Sequence, residues 1–375
     1  MRNVPLMSLA EVAESVRYGY TASASDSKVG PKFLRITDIV PPQIDWPNVP
    51  YCKIDEKDLD KYSLESGDIV VARTGATVGY AKLIRGSEPS VFASYLVRIR
   101  VDPEKADPGY VGRIVESEVY KRFVLSRVGG AAQPNANAKV LSSFRLPIPE
   151  QATQRRIASI LSAYDDLIEN NRRRIQLLEQ AARLLYKEWF VHLRFPGHEH
   201  VKIKDGVPEG WEKKPLGEVA PLKYGKALKN DDRTPGPYPV YGSSGVIGAH
   251  NKALVSGPAI IVGRKGNVGS VYWSEDDFHP IDTVYFVDGE KCNLHLYYAL
   301  IHTPFINTDV AVPGLNRDFA HSRPLLIPES KILRLFEEIA SPIHEQIVRL
   351  EKYTGALAEA RDLLLPRLMN GEITV

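Results

Sequence analysis

Sliding the chain along itself by 179 residues lays Leu146–Leu185 on Leu325–Leu364 without a gap, and twelve of the forty positions are identical. Ile148-Pro149-Glu150 falls on Ile327-Pro328-Glu329, and at the same shift Pro134 and Asn137 fall on Pro313 and Asn316. The openings of the two halves match as well, "LAEVAESVRYG" at 9–19 with "LGEVAPLKYG" at 216–225, one deletion apart. A repeat this long means one folding plan used twice, so any fold assigned to one half must serve the other.

Each half divides again. Residues 1–148 and 196–328 are rich in Gly, Pro, Tyr and short β-branched runs bounded by turn residues, the pattern of compact strand-rich domains. Residues 149–195 and 329–375 open on the repeated Ile-Pro-Glu, after which glycine and proline nearly vanish and a long helical pattern begins. Ile157, Leu161, Tyr164, Ile168, Asn171, Ile175, Leu178, Ala182, Leu185 and Trp189 follow steps of four and three. Phe336, Ala340, Ile343, Ile347, Leu350, Thr354, Leu357, Arg361, Leu364 and Leu368 occupy the matching places in the second copy. A two-place stripe of period 3.5 is the seam of a coiled coil, here assigned to Ile168, Asn171, Ile175, Leu178 and Leu185 with Ile347, Leu350, Leu357 and Leu364. The commoner use of such a stripe is burial against the helix's own neighbouring domain. Two related helices in one chain, each with a narrow seam, predict pairing with each other. Ser341-Pro342 reads as a cap and first helical residue, so the second region is expected to break into a short helix and a long one, with Ser162 marking the same break in the first. The resulting fold class is α/β (α+β): two strand-rich domains joined by two long helices in an antiparallel coiled coil, related by a pseudo-twofold repeat.

Both strand-rich domains carry one further motif. "VARTGATVGYAKLI" at 71–84 and "VGRKGNVGSVYW" at 262–273 share a plan of apolar run, arginine, glycine, Val-Gly and a second apolar run. The strings G-x-x-x-x-G-K-[ST] and G-x-G-x-x-G are both missing, which removes the nucleotide P-loop and the dinucleotide fingerprint. "GRKG" resembles the GxxG turn that clamps RNA between two helices, but its β-branched and aromatic flanks predict a strand, a Gly-rich turn and a returning strand.

The net charge of +2 is too small to mark a nucleic-acid binder by itself, so any basic surface is local. Cys52 and Cys292 have no partner motif, which argues against a disulfide framework or a zinc site, and no signal-like or membrane-spanning segment stands out; a reducing cytoplasm is the expected location, with no membrane contact. An amino-methyltransferase needs N-P-P-Y or D-P-P-Y, and a nuclease of the common type needs a Pro-Asp step; neither occurs. His192, His198 and His200 lack the flanking ligands of a metal site and read as loop and surface residues.

Taken in order and in duplicate, these motifs resemble the DNA-specificity subunit of type I restriction-modification systems over essentially the whole chain. The resemblance implies that residues 1–148 and 196–328 are target-recognition domains, each reading one half of a split double-stranded DNA sequence. It also implies that the helical regions set the spacing and dock two methyltransferase subunits, to which motor-nuclease restriction subunits attach. No catalysis and no cofactor are implied for this chain; S-adenosylmethionine, ATP and magnesium would belong to the partners. The alternative from another class is a protein-interaction scaffold or an anti-restriction DNA mimic, which would place acidic clusters where a reader needs bases. For a reader, arginine pairs with guanine, asparagine or glutamine with adenine, and lysine with phosphate. The candidates are therefore Arg73, Thr74, Gly75 and Thr77, then Gln133, Asn135, Asn137 and Lys139 in the first half. In the second half they are Arg264, Lys265, Gly266 and Asn267, with Asn316 and Arg317. If these recurrent residues are scaffold, base reading falls to segments that differ, such as 18–28 against 224–233.

Overall fold

The computed structural model describes residues 4–86, 88–128, 134–305, 314–369 and 372–373. The chain forms two compact units, Met1–Glu169 with Gly355–Val375, and Asn170–Thr354.

The first unit is built on a four-stranded antiparallel sheet with the spatial order Ala13–Tyr18, Leu96–Val101, Ile69–Ala72, Ala81–Leu83. Strand Ile69–Ala72 is buried along its whole length, and its alternation splits it between two cores. Ile69 and Val71 face one with Val97 and Ile99; Val70 and Ala72 face the other with Leu34 and Phe92. A parallel pair, Lys32–Leu34 with Ser90–Phe92, flanks the sheet, and Leu6–Ser8 pairs with Arg145–Pro147.

The second unit repeats this plan. Its sheet runs Lys223–Tyr224, Val284–Val287, Ala259–Gly263, Val271–Ser274, and Tyr238–Gly242 pairs in parallel with His279–Pro280. Ile260 and Val262 again face one core and Ala259 and Ile261 the other. The repeat in sequence is a repeat in topology.

The helices start where Ile-Pro-Glu predicts, at Gln151 and Ser330, and run to Tyr186 and Met369. The first ends in a π turn, Lys187–Val191, that sinks Trp189 and Phe190 into the second unit's core. The seam positions are covered: Ile168, Ile347 and Leu350 are buried, and Asn171, Ile175, Leu178, Leu185, Leu357 and Leu364 are half-buried. In the second unit the end of one helix meets the start of the other, with Tyr186 and Trp189 at 6.2 and 6.0 Å from Phe336. In the first unit the start of one meets the end of the other, where Arg361 Nη1 donates to Asp165 Oδ1 at 2.6 Å. Each pairing is antiparallel. Burial against a neighbouring domain, the competing use of the stripe, occurs as well: Ile157, Leu161 and Leu368 join the first unit's core, and Ala182, Phe336 and Ala340 the second's.

The expected helix break is not there. Ser330–Met369 continues through Pro342 and Gly355, and Gln151–Tyr186 through Ser162. A proline inside a helix costs about 3 kcal/mol through a lost hydrogen bond and a clash. Here Pro342 and Glu338, whose carbonyl it leaves unbonded, are exposed, so water can serve that carbonyl, while Ala340 and His344 on either side are buried and hold the helix in place. Ser162 accepts from Arg113 Nη2 at 3.1 Å instead of capping.

Candidate nucleic-acid interface

Both expected hairpins are present. Strands Ile69–Ala72 and Ala81–Leu83 flank Gly75 and Gly79 at φ 73° and 85°; Ala259–Gly263 and Val271–Ser274 flank Gly266 and Gly269 at 80° and 78°. These left-handed conformations are why glycine stands at those four places.

Arg73 and Arg264 each follow an outgoing strand and are held alike. The Arg73 backbone N–H donates to the Tyr95 carbonyl at 3.0 Å and its Nη1 to the Ser94 carbonyl at 3.4 Å, while its guanidinium lies 4.9 Å from the centre of the Tyr18 ring. The Arg264 backbone N–H donates to Thr283 at 2.8 Å and its Nη1 to the Asp282 carbonyl at 3.1 Å, and its guanidinium lies 5.0 Å from Tyr224. Burial, with Tyr224 alongside, pushes the Tyr285 phenol up, so it remains a neutral donor to the Leu315 carbonyl at 2.9 Å.

The Pro-x-x-Asn segments lie against these hairpins. Ala136 N–H donates to the Arg73 carbonyl and Gly75 N–H to that of Pro134; Leu315 N–H donates to the Arg264 carbonyl, and Lys265 bridges to Gly314. Asn137 and Asn316 then cap the short helices Ala138–Ser142 and Arg317–His321, Oδ1 accepting from Val140 N–H at 2.9 Å and from Asp318 and Phe319 N–H at 2.8 and 3.1 Å. Capping occupies their acceptors. Asn135, Lys139, Lys265, Gly266, Asn267 and Arg317 are exposed around the hairpins. Asn135 accepts from Arg73 Nη2 at 3.4 Å, Arg317 shares the Tyr224 ring with Arg264, and Lys265 Nζ stands 3.9 Å from Asp282. Thr74 and Thr77 are half-buried, and Gln133 lies outside the described residues. His192, His198 and His200 are exposed, and among the described residues no cluster of three metal-ligating side chains occurs. No helix among them is long and apolar enough to cross a membrane.

A duplicated frame of cations, amides and tyrosines on Gly-rich turns is chemistry suited to DNA. Residues 1–180 and 208–311 match the family model described as the type I restriction modification DNA specificity domain. The chain belongs to that family. It is 24% identical over 71% of its length to the MjaIX specificity subunit of Methanocaldococcus jannaschii, covering 69% of that protein. With the HindI specificity subunit of Haemophilus influenzae it shares 25% identity, over 68% of this chain and 74% of that one. The crystal structure of the type I restriction-modification S subunit from M. genitalium aligns with 98% of this chain and 97% of that one, with a TM-score of 0.59 at 17% identity, which supports the fold. The chain is thus the DNA-recognising, non-catalytic specificity subunit of a type I restriction-modification system.

Within this specificity subunit, Tyr18 and Tyr224 were read in sequence only as the first residues of the differing segments 18–28 and 224–233, not as partners of the arginines. Tyr18 and Tyr224 stand next to last in the matched openings, each followed by a glycine at a close approach. A Cβ on Gly19 would stand 2.2 Å from the Ala93 carbonyl oxygen, and one on Gly225 2.0 Å from that of Ile281. The recurring Tyr-Gly was the available signal: glycine lets the strand lie against the neighbouring turn, which brings the preceding tyrosine under the arginine.

Proposed function

We propose that each unit of this specificity subunit reads one half of a bipartite duplex target through the face around its hairpin arginine. The reading is carried by one observation, the same arginine-on-tyrosine frame with an Asn-capped helix built independently in each unit. Around it Lys139, Lys265 and Arg317 are exposed, and they would neutralise phosphates while amides and arginines meet base edges. A DNA mimic would set carboxylates there, and the frame's cations argue against that alternative, although Asp282 stands among them.

The long helices carry two methyltransferase subunits and fix the spacing of the half-sites; motor-nuclease restriction subunits join through these. S-adenosylmethionine, ATP and magnesium are assigned to those partners, and the complex to the cytoplasm. In the second unit Leu177, Leu184 and Tyr353 lie on the helices' outer faces at 65%, 60% and 63% exposure, apolar groups of the kind a partner covers. An electrophoretic shift on random duplex, with the chain alone and then with its methyltransferase partner, tests the reading. Binding in either preparation supports it; no shift in both would leave an interaction scaffold as the better account.

A further inference from the structure

The two units share a second element. Leu96 N–H donates to the Ala93 carbonyl at 2.8 Å, closing a turn with Ser94-Tyr95 at its centre; Val284 N–H donates to Ile281 at 3.2 Å, closing one around Asp282-Thr283. Both turns lead into the strand next to the hairpin, Leu96–Val101 or Val284–Val287. Their backbones share a set of holding contacts. The two central carbonyls accept from the side chain and backbone of the hairpin arginine, as described above. Gly19 and Gly225 pack on the first carbonyl of each turn, and their N–H groups donate to Leu96 and Val284, at 3.2 Å in both units. The residues after them, Tyr20 and Lys226, donate to Phe92 and Pro280 at 2.8 and 2.9 Å.

With the backbone fixed at so many points, the side chains of the central pair are free to differ, and they do. The first unit presents Tyr95, 61% exposed, beside Arg73. The second presents Asp282, its side chain 48% exposed, with Lys265 at 3.9 Å, the limit of an ion pair. A carboxylate on a face that meets phosphates is repelled by them unless a cation or a base amine pairs with it; Lys265 stands at the outer limit of such a pair, and cytosine N4 is the usual base donor to a carboxylate. A tyrosine brings no charge to that contact, only a neutral hydroxyl that accepts more weakly. Its ring suits the thymine methyl or another apolar base edge. Thr283 and Ser94, half-buried behind these groups, are the smaller member of each pair.

We propose that Tyr95 and Asp282 are base-discriminating residues of the two units, Asp282 accepting from an exocyclic amine and Tyr95 packing on an apolar base edge. The proposal rests on the reading of the hairpin faces as DNA-binding surfaces and places the discrimination on the turn beside the arginine, away from segments 18–28 and 224–233.

The test exchanges the pairs between units, S94D with Y95T in one variant and D282S with T283Y in another, each assembled with the methyltransferase partner. Each turn then carries a pair that the same backbone already accommodates in the other unit. Methylation of a randomised plasmid library reports the motif, and affinity for random duplex reports general binding. The expected result is a preference changed by about tenfold or more at one position of one half-site. The other half-site and the spacer stay as they were, and random-duplex affinity moves only with the charge exchanged, falling several-fold with the carboxylate added at position 94 and rising with the one removed at position 282. An unchanged motif in both variants, or loss of all DNA binding, would make the turns scaffold and overturn the proposal. R73A and R264A in parallel, on cognate and random duplex, report on the underlying reading: if neither alters binding to either duplex and the exchanges leave the motif unchanged, the faces themselves are misassigned.

Discussion

Arg73 and Arg264 are half-buried, stacked on tyrosine and bonded to carbonyls, so each supports the local frame as well as presenting charge. Replacing either by alanine removes a cation–π contact worth about 0.5–1 kcal/mol and should lower the melting temperature slightly. If the arginine meets phosphate, affinity falls for all sequences and the slope of log K against log salt drops by about one; if it reads guanine, about 1–3 kcal/mol of discrimination is lost at one position. A salt titration of the complex on cognate and random duplex separates the two outcomes, and unchanged binding would leave the arginines with the supporting role alone. A second residue-scale prediction concerns pH. His295 lies among Tyr186, Phe190 and Phe336, and burial pushes its imidazole down to about 4. The folded state holds it neutral, whereas the unfolded chain takes up a proton near pH 6.5. Its contribution is therefore full above about pH 6.5 and declines as the pH falls towards 4, at about 1.4 kcal/mol per pH unit. Thermal unfolding from pH 7.5 to 5 should show the second unit losing stability, and His295→Phe should flatten that loss; an equally steep loss in the variant would place its source elsewhere.

At the scale of elements, the seam was legible because its period outlasts any single residue, and the hairpins because glycines and β-branched flanks fix both turn and strands. The uninterrupted helix was not legible. Pro342 and Gly355 carry local preferences against helix, and only the burial of Phe336, Ala340, Ile347 and Leu350 around Pro342, which requires the folded unit, shows why it continues. Trp189 reads as a seam residue in sequence but leaves the seam through the π turn, since its place depends on Phe336, far along the chain. A Cβ on the exposed Gly355 would meet nothing within 4 Å, so Gly355→Ala should stabilise the helix by about 0.5–1 kcal/mol, read as a rise in melting temperature. A fall would mean that the helix bends there in solution. The spacer claim is tested on the same elements. Ala182 is buried in the second unit's core, so an insertion there would disrupt that unit. Four residues added after Asn171 and four after Thr354 lengthen both helices by about 6 Å outside the cores. The methylated motif should then gain about one or two base pairs of spacer. An active complex retaining the original spacer would show that its partners set the distance.

For the whole molecule, the sequence repeat showed two equivalent units before any strand was placed, because matched segments must fold alike. The antiparallel seam implied that each domain would meet chain from both halves; what the repeat did not show is where the division falls, with Gly355–Val375 joining Met1–Glu169 as one compact unit. Leu364 and Leu365 pack against a core that includes Ile157 and Leu161, a closure between residues some 200 apart that no local pattern encodes. The central claim is that each unit reads its own half of the target. It is tested most directly by replacing residues 1–148 with the matching segment of another family member, keeping both helices, and mapping the methylated motif by sequencing. The account predicts a motif with a new first half, the original second half and the original spacer. A motif altered in both halves at once would contradict it, showing that the two units read DNA as a single composite surface.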